Sequence, residues 1–151
     1  MFVFFLVGSG AYAAELQRLA KLRGLTNVEF KPLQAWEDVP AMLAAADVHL
    51  VVQRKGAADA VLPSKLTNIL SAGGNAVITA EADTELGRLA LKHPGIYSCV
   101  EPECVDSFCR GLEIELKKSG TNAVARSYAE KNLNKEAILS RYREDLLKLI
   151  G

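Results

Sequence analysis

The sequence predicts an α/β fold in which a parallel sheet carries helices on both faces and the chain ends in helices. Apolar strand-like runs alternate with segments of helical periodicity, and glycine, proline or polar turns separate them. Strands that alternate with helices in this way form a parallel sheet with right-handed crossovers. The 151 residues suit one domain, which we predict to span 1–151.

Five segments are predicted to be strands because each is a short, largely apolar run bounded by turn residues. They are 2–7, 28–30, 47–52, 75–79 and 96–100. The first is apolar throughout, which is typical of a central strand buried on both faces.

Seven segments have apolar residues at helical spacing. They are 11–23, 36–46, 63–72, 84–92, 105–118, 123–131 and 135–150. Gly24 suits the end of the first helix, and Asp83 is predicted to cap the helix that begins at Thr84. In parallel sheets, ligands bind where strands lead into helices, so the loops 8–10, 31–37, 53–68 and 79–85 are the candidate site.

Composition excludes several classes of function. Eighteen basic residues balance eighteen acidic ones, so the chain lacks the charge of a nucleic-acid-binding protein. The apolar start has no basic region before it and is too short to cross a bilayer. The three cysteines form no disulfide pattern, and no spacing of His, Cys, Asp or Glu implies a metal. We therefore expect a cytoplasmic protein without a metal.

A glycine-containing turn follows the first predicted strand. Gly8, Ser9 and Gly10 begin the pattern G-x-G-x-x-A, which lets a backbone approach a phosphate. A dinucleotide-binding Rossmann domain also needs an acidic residue at the tip of the second strand, and Glu29 lies within that strand instead. A nucleotide- or dinucleotide-binding domain of an oxidoreductase or regulator stays an alternative, and so does a turn without ligand.

The start of the 63–72 helix combines several groups that favour an anion. Ser64 and Lys65 lie in its first turn. The unpaired N–H groups of the helix and the positive end of its dipole are at the same place. Asn68 lies three residues after Lys65, on the same side of the helix. This arrangement suits a diphosphate at Lys65 and vicinal hydroxyls at Asn68. The alternative is that Ser64 only caps the helix and Lys65 is a surface charge.

These segments together resemble the carboxyl-terminal domain of GT-B glycosyltransferases, in the large retaining group numbered four. The resemblance is carried by 5–10, 27–30, 43–48 and above all 62–73, which reads L-P-S-K-L-T-N-I-L-S-A-G. This last form most resembles the colanic-acid-type transferases of exopolysaccharide synthesis. The resemblance covers nearly the whole chain and implies a Rossmann-like fold that binds a nucleotide sugar.

The resemblance also implies roles for single residues. Gly8, Ser9 and Gly10 would face the donor, the backbone at Gln34 would border the base, and Ser64 and Lys65 would lie near the diphosphate and sugar. Lys65 is then the candidate catalytic residue. Asn68 occupies the place where many relatives have a glutamate that binds the ribose. These roles imply a UDP- or GDP-linked sugar as substrate and no cofactor.

Two features depart from the family pattern. Asp59 stands near the place where relatives have the first glutamate of an E-x7-E motif, and we expect it to be the substitute. Relatives also carry an earlier strand and helix and an amino-terminal domain that binds the acceptor. We therefore expect a fragment that is inactive alone, with that domain as a partner, and a membrane-associated acceptor that brings the enzyme to the inner face of the membrane.

Overall fold

The computed structural model describes residues 2–57 and 63–150, with residue 150 described by its backbone alone. The chain divides into two compact units, Met1–Ala41 and Met42–Gly151. Their strands and helices alternate in the predicted order, and every strand pair is parallel. The α/β fold class is therefore confirmed.

The first unit contains two parallel strands joined by a helix. Strand β1 (Phe4–Val7) leads through the glycine turn into helix α1 (Ala13–Leu22), and strand β2 (Val28–Lys31) follows. The register runs from Phe4 opposite Val28 to Val7 opposite Lys31. A short 3₁₀ helix (Trp36–Asp38) precedes helix α2 (Val39–Ala45), which begins in this unit and ends in the next.

The prediction that β1 is buried on both faces is wrong for this structure. Phe5 is 59% exposed, and Leu6 and Val7 are also exposed. Among the described residues β1 pairs with β2 alone, so one edge of the strand has no strand beside it. A fully apolar sequence is typical of a central strand, but a strand is central only when another strand pairs with each of its edges.

The second unit contains a three-stranded parallel sheet with β4 in its centre. Strands β3 (His49–Val51), β4 (Ala76–Thr79) and β5 (Ser98–Val100) lie in the order β3-β4-β5. All four residues of β4 are buried, as expected of a strand with a neighbour on each side. The described strands thus form two sheets of two and three strands, where the sequence predicts a single one.

Five helices follow β3 in the described part of the second unit. They are α3 (Ser64–Ala72), α4 (Glu85–Lys92), α5 (Val105–Leu116), α6 (Ala123–Asn132) and α7 (Lys135–Ile150). Buried side chains of α3, α4 and α6 join those of the sheet in one core that includes Leu66, Leu70, Ile78, Leu86 and Ile96. The last helix contacts α6, and most of its large apolar side chains are exposed.

Small residues bring helices close to the sheet and to each other. A Cβ on Gly111 in α5 would lie 2.6 Å from Val100 Cγ1, so only glycine permits this approach of α5 to the sheet. Gly73 ends α3 in the left-handed conformation, with φ of 67°. Its carbonyl accepts a 2.7 Å hydrogen bond from the Asn122 N–H, and Arg126 Nη1 donates to Ser71 O at 2.6 Å. The end of α3 is thereby bound to the start of α6.

Most boundaries differ from the predictions by one to three residues, and three differences have a direct structural cause. Helix α1 begins at Ala13 rather than at residue 11, because Tyr12 is its N-cap. Thr84, and not Asp83, caps α4: its Oγ1 accepts a hydrogen bond from the Gly87 N–H. Strand β5 begins at Ser98, since Ile96 N–H donates to His93 O in a turn before the strand.

We predict that Gly73→Ala destabilises the protein by about 2–4 kcal/mol, as the sum of a left-handed backbone penalty and a steric collision. The added Cβ would collide with the Thr121 side chain. Gly120→Ala is the matched control, because Gly120 has φ of 72° with no atom within 4 Å of the added Cβ. Urea unfolding should show a cost of about 1 kcal/mol for the control. Equal costs for both variants would contradict the role of the α3–α6 contact.

A second prediction concerns His49, the first residue of β3. Burial lowers the pKa of His49 below its ordinary value of 6.5, although the Leu43 carbonyl opposes this effect. The neutral ring donates from Nε2 to Leu43 O at 3.0 Å. The unfolded chain therefore takes up a proton near pH 6.5, whereas the folded protein takes it up only at a lower pH. The stability present above pH 6.5 is lost as the pH falls from 6.5 through the pKa of the folded protein.

His49→Gln tests this prediction, because glutamine can keep the hydrogen bond and does not titrate. We expect the free energy of unfolding to fall more steeply below pH 6.5 in the wild type than in the variant. Urea titrations at several pH values measure the difference. Parallel pH profiles for the two proteins would show that His49 does not contribute.

Candidate functional site

In the first unit, the predicted site residues lie at one end of the two-stranded sheet. Gly8–Gly10 follow β1, and Gln34 follows β2, whose carboxyl end is at the same edge because the strands are parallel. The Gly8 N–H donates to Lys31 O at 3.1 Å, and the φ of Gly8 is 127°, a value that favours glycine. The Gln34 side chain donates to Pro32 O at 2.7 Å. The glycine turn is thus bound to the end of β2, and the Gln34 side chain bonds to the backbone of its own loop.

Glu29, which bears on the dinucleotide alternative, lies within β2. Its carboxyl group forms an ion pair with Lys31 Nζ at 2.8 Å, and both side chains are about half exposed. The strand continues for two residues after it, so Glu29 is not at the tip where a ribose-binding acid is expected.

In the second unit, helix α3 begins with an exposed polar turn. Pro63 is the N-cap with extended backbone angles, and no side chain of the described residues caps the helix. Ser64 is the first helical residue and so does not cap it; its carbonyl accepts a hydrogen bond from Thr67 Oγ1 at 2.7 Å. The start of α3 is a helix N-terminus, where partial positive charge favours an anion.

The buried face of α3 determines which side chains reach solvent. Leu66, Ile69 and Leu70 are buried in the core. Lys65 and Asn68 are exposed, and their spacing of three residues places them side by side on the helix surface. The structure thus places Ser64, Lys65 and Asn68 on the exposed side of one helix. Asp59 and Leu62 lie outside the described residues.

The loop after β3 is bound to the end of β4. The Gln53 N–H donates to Thr79 Oγ1 at 2.6 Å, and Thr79 Oγ1 donates to Gln53 O at 2.8 Å. The Gly56 N–H donates to Glu81 Oε1 at 2.8 Å. The sequence marked the two loops as candidates but named neither Thr79 nor Glu81, because the pairing of the loops depends on the neighbouring strands.

The loop after β4 is held just as closely. Thr84 Oγ1 donates to Glu81 O at 2.6 Å, which closes the turn before α4. The Tyr97 hydroxyl donates to Leu86 O at 2.8 Å, and burial raises the pKa of Tyr97. Both contacts fix the start of α4 relative to β4 and β5.

The described residues contain no group of three or more His, Cys, Asp or Glu side chains that could hold a metal ion. Cys99, Cys104 and Cys109 are free thiols, and burial raises the pKa of Cys99. In the ranges 2–57 and 63–150, no helix is both long enough and apolar enough to cross a membrane.

No protein-family model matches the chain. The chain is 54% identical over 144 residues to WcaI of Escherichia coli strain K12, whose name marks it as a proposed colanic acid biosynthesis glycosyl transferase. This match covers 95% of the chain and 35% of WcaI, so the chain spans about a third of that relative.

A solved structure with a similar fold is that of WaaG, a glycosyltransferase involved in lipopolysaccharide biosynthesis. The TM-score is 0.65 at 22% identity, and the match covers 86% of the chain and 34% of WaaG. At this identity the likeness shows the fold, while the WcaI match shows the relationship in sequence. In sequence the chain is thus similar to part of one glycosyltransferase, and it shares the Rossmann-like α/β fold of part of another.

Proposed function

We propose that the chain is the donor-binding part of a glycosyltransferase that moves a sugar from a nucleotide diphosphate to a lipid-linked or saccharide acceptor in polysaccharide biosynthesis. The observation that carries the proposal is the exposed first turn of α3, in a segment that lies within the match to WcaI. Ser64, Lys65 and Asn68 share this turn and the one after it, and the opposite face of the helix is anchored in the core.

Lys65 is the candidate catalytic residue in this proposal. As the sugar leaves, negative charge grows on the diphosphate, and a positioned cation stabilises the transition state more than the ground state. The N–H groups at the start of α3 add to this effect because the helix dipole is positive there. Both contributions come from the chain itself.

Asn68 is proposed to contact the ribose, since its amide can both donate and accept hydrogen bonds from vicinal hydroxyls. The Gly8–Gly10 turn is proposed to face the donor and the backbone at Gln34 to border a uracil or guanine base. Asp59 is proposed to substitute for the first glutamate of the E-x7-E motif. A cytoplasmic enzyme, peripheral at the inner membrane face, would receive a membrane-associated acceptor through an amino-terminal domain outside this chain.

We predict that Lys65→Ala weakens binding of the nucleotide diphosphate about tenfold, because a charge-assisted hydrogen bond to phosphate is lost. Isothermal titration of UDP, GDP and NAD against the 151-residue chain measures this effect. The loss should shrink at high salt, where screening weakens the wild-type contact.

Lys92→Ala is the matched control, because Lys92 is an exposed lysine in the last turn of α4, where the helix dipole disfavours an anion. It should bind UDP or GDP like the wild type. Binding of NAD with no binding of UDP or GDP would contradict the proposed function and favour the dinucleotide alternative. An equal loss in both lysine variants would contradict the assignment of Lys65.

A further inference from the structure

The carboxyl ends of β3 and β4 hold two buried oxygen atoms that receive no hydrogen bond. Gln53 follows the end of β3 by two residues, and its side-chain Oε1 has no partner among the described residues. Glu81 follows the end of β4 by two residues, and its side-chain Oε2 also has no hydrogen-bond partner among the described residues. The two strands are parallel, so both residues leave the sheet at the edge where α/β proteins bind ligands.

Both residues are held in place by other contacts. The backbone of Gln53 exchanges hydrogen bonds of 2.6 and 2.8 Å with Thr79 Oγ1. Glu81 Oε1 accepts from the Gly56 N–H at 2.8 Å, and the Glu81 carbonyl accepts from Thr84 Oγ1 at 2.6 Å. The Glu81 carboxyl group and the backbone of Gln53 are therefore positioned before any ligand arrives, which lowers the entropy cost of binding one.

A buried acceptor without a donor is unfavourable, and native proteins rarely leave one unless a ligand or water completes it. Two oxygens cannot complete each other, because neither carries a proton to donate. Glu115 Oε2 is also unpartnered, but it belongs to α5 and its neighbour Oε1 accepts from Ser98 and Lys118. Of the three unpartnered oxygens found among the described residues, those of Gln53 and Glu81 lie at the carboxyl ends of the strands.

We infer that Gln53 and Glu81 form a subsite that accepts hydrogen bonds from a vicinal diol of the nucleotide sugar, an inference that rests on the proposed function. Adjacent hydroxyls supply two donors, one for each oxygen. A phosphate offers acceptors only and is repelled by a carboxylate. A resident metal ion would need further ligands, and the described residues contain no such group.

A nucleotide sugar carries vicinal hydroxyls on its ribose and on its hexose, and three ligands distinguish them. UDP has the ribose diol, 2′-deoxy-UDP lacks it, and UDP-glucose adds the hexose hydroxyls. The corresponding guanosine nucleotides replace these three ligands if the protein binds GDP rather than UDP. We measure the dissociation constant of each for the wild type, Glu81→Ala and Gln53→Ala by titration of the full chain.

If the diol belongs to the hexose, each variant loses about tenfold in affinity for UDP-glucose and none for UDP. If it belongs to the ribose, in place of the contact proposed for Asn68, UDP and UDP-glucose both lose affinity while 2′-deoxy-UDP does not. An equal loss for all three ligands, or no loss for any, overturns the subsite while leaving donor binding intact. Failure of the wild type to bind any nucleotide overturns the proposed function, and the subsite with it.

Two further variants separate binding from stability. Glu81→Gln keeps one oxygen for the Gly56 N–H and turns the other position into a donor, so we expect a wild-type melting temperature with reduced affinity for the diol. Asp83→Ala removes an exposed carboxyl group two residues further along, and it should bind every ligand like the wild type. A loss of affinity in Asp83→Ala equal to that in Glu81→Ala would show that any loss of negative charge here weakens binding. That result would overturn the subsite.

Discussion

The burial of one face of α3 is the constraint on which the candidate site depends. Leu66 and Leu70 are fully buried, and Ile69 lies beside them in the same core. Helical geometry then leaves Lys65 and Asn68 on the solvent side, because residues three apart share one side of a helix. The glycine at the end of the helix accepts a hydrogen bond from the Asn122 N–H, which binds the end of α3 to the start of α6. The polar turn is thus oriented by apolar contacts and not by its own charges.

The strand ends of the second unit show a different kind of order, made of hydrogen bonds between loops. Thr79 binds the backbone of Gln53, and Glu81 binds the Gly56 N–H, so the loop after β3 is fixed to the loop after β4. These contacts satisfy most of the polar groups and leave two oxygens unpartnered. A site built in this way has acceptors of fixed position, which suits a ligand rich in hydroxyl groups.

Local patterns predicted the elements well because each pattern reflects a local cause. The apolar run 75–79 contains β4, and the periodic segment 105–118 contains α5. The predictions that failed depended on partners distant in the chain. β1 is apolar throughout, yet its burial requires a neighbour on each edge, and among the described residues it has only β2. The cap of α4 is a local exception, because Asp83 and Thr84 can both cap a helix and the backbone path decided for Thr84.

The sequence by itself determined the fold class, the order of the elements and the segment of residues 62–73 that marks the family, because periodicity and turn chemistry are local properties. It also placed Ser64, Lys65 and Asn68 near the start of one helix, since helical spacing is regular. Only the tertiary structure decided that Thr79 and Glu81 bind the loop after β3 and that two oxygens at this edge lack donors. These contacts join residues about 25 positions apart, and the packing of parallel strands, which no local pattern encodes, brings them together.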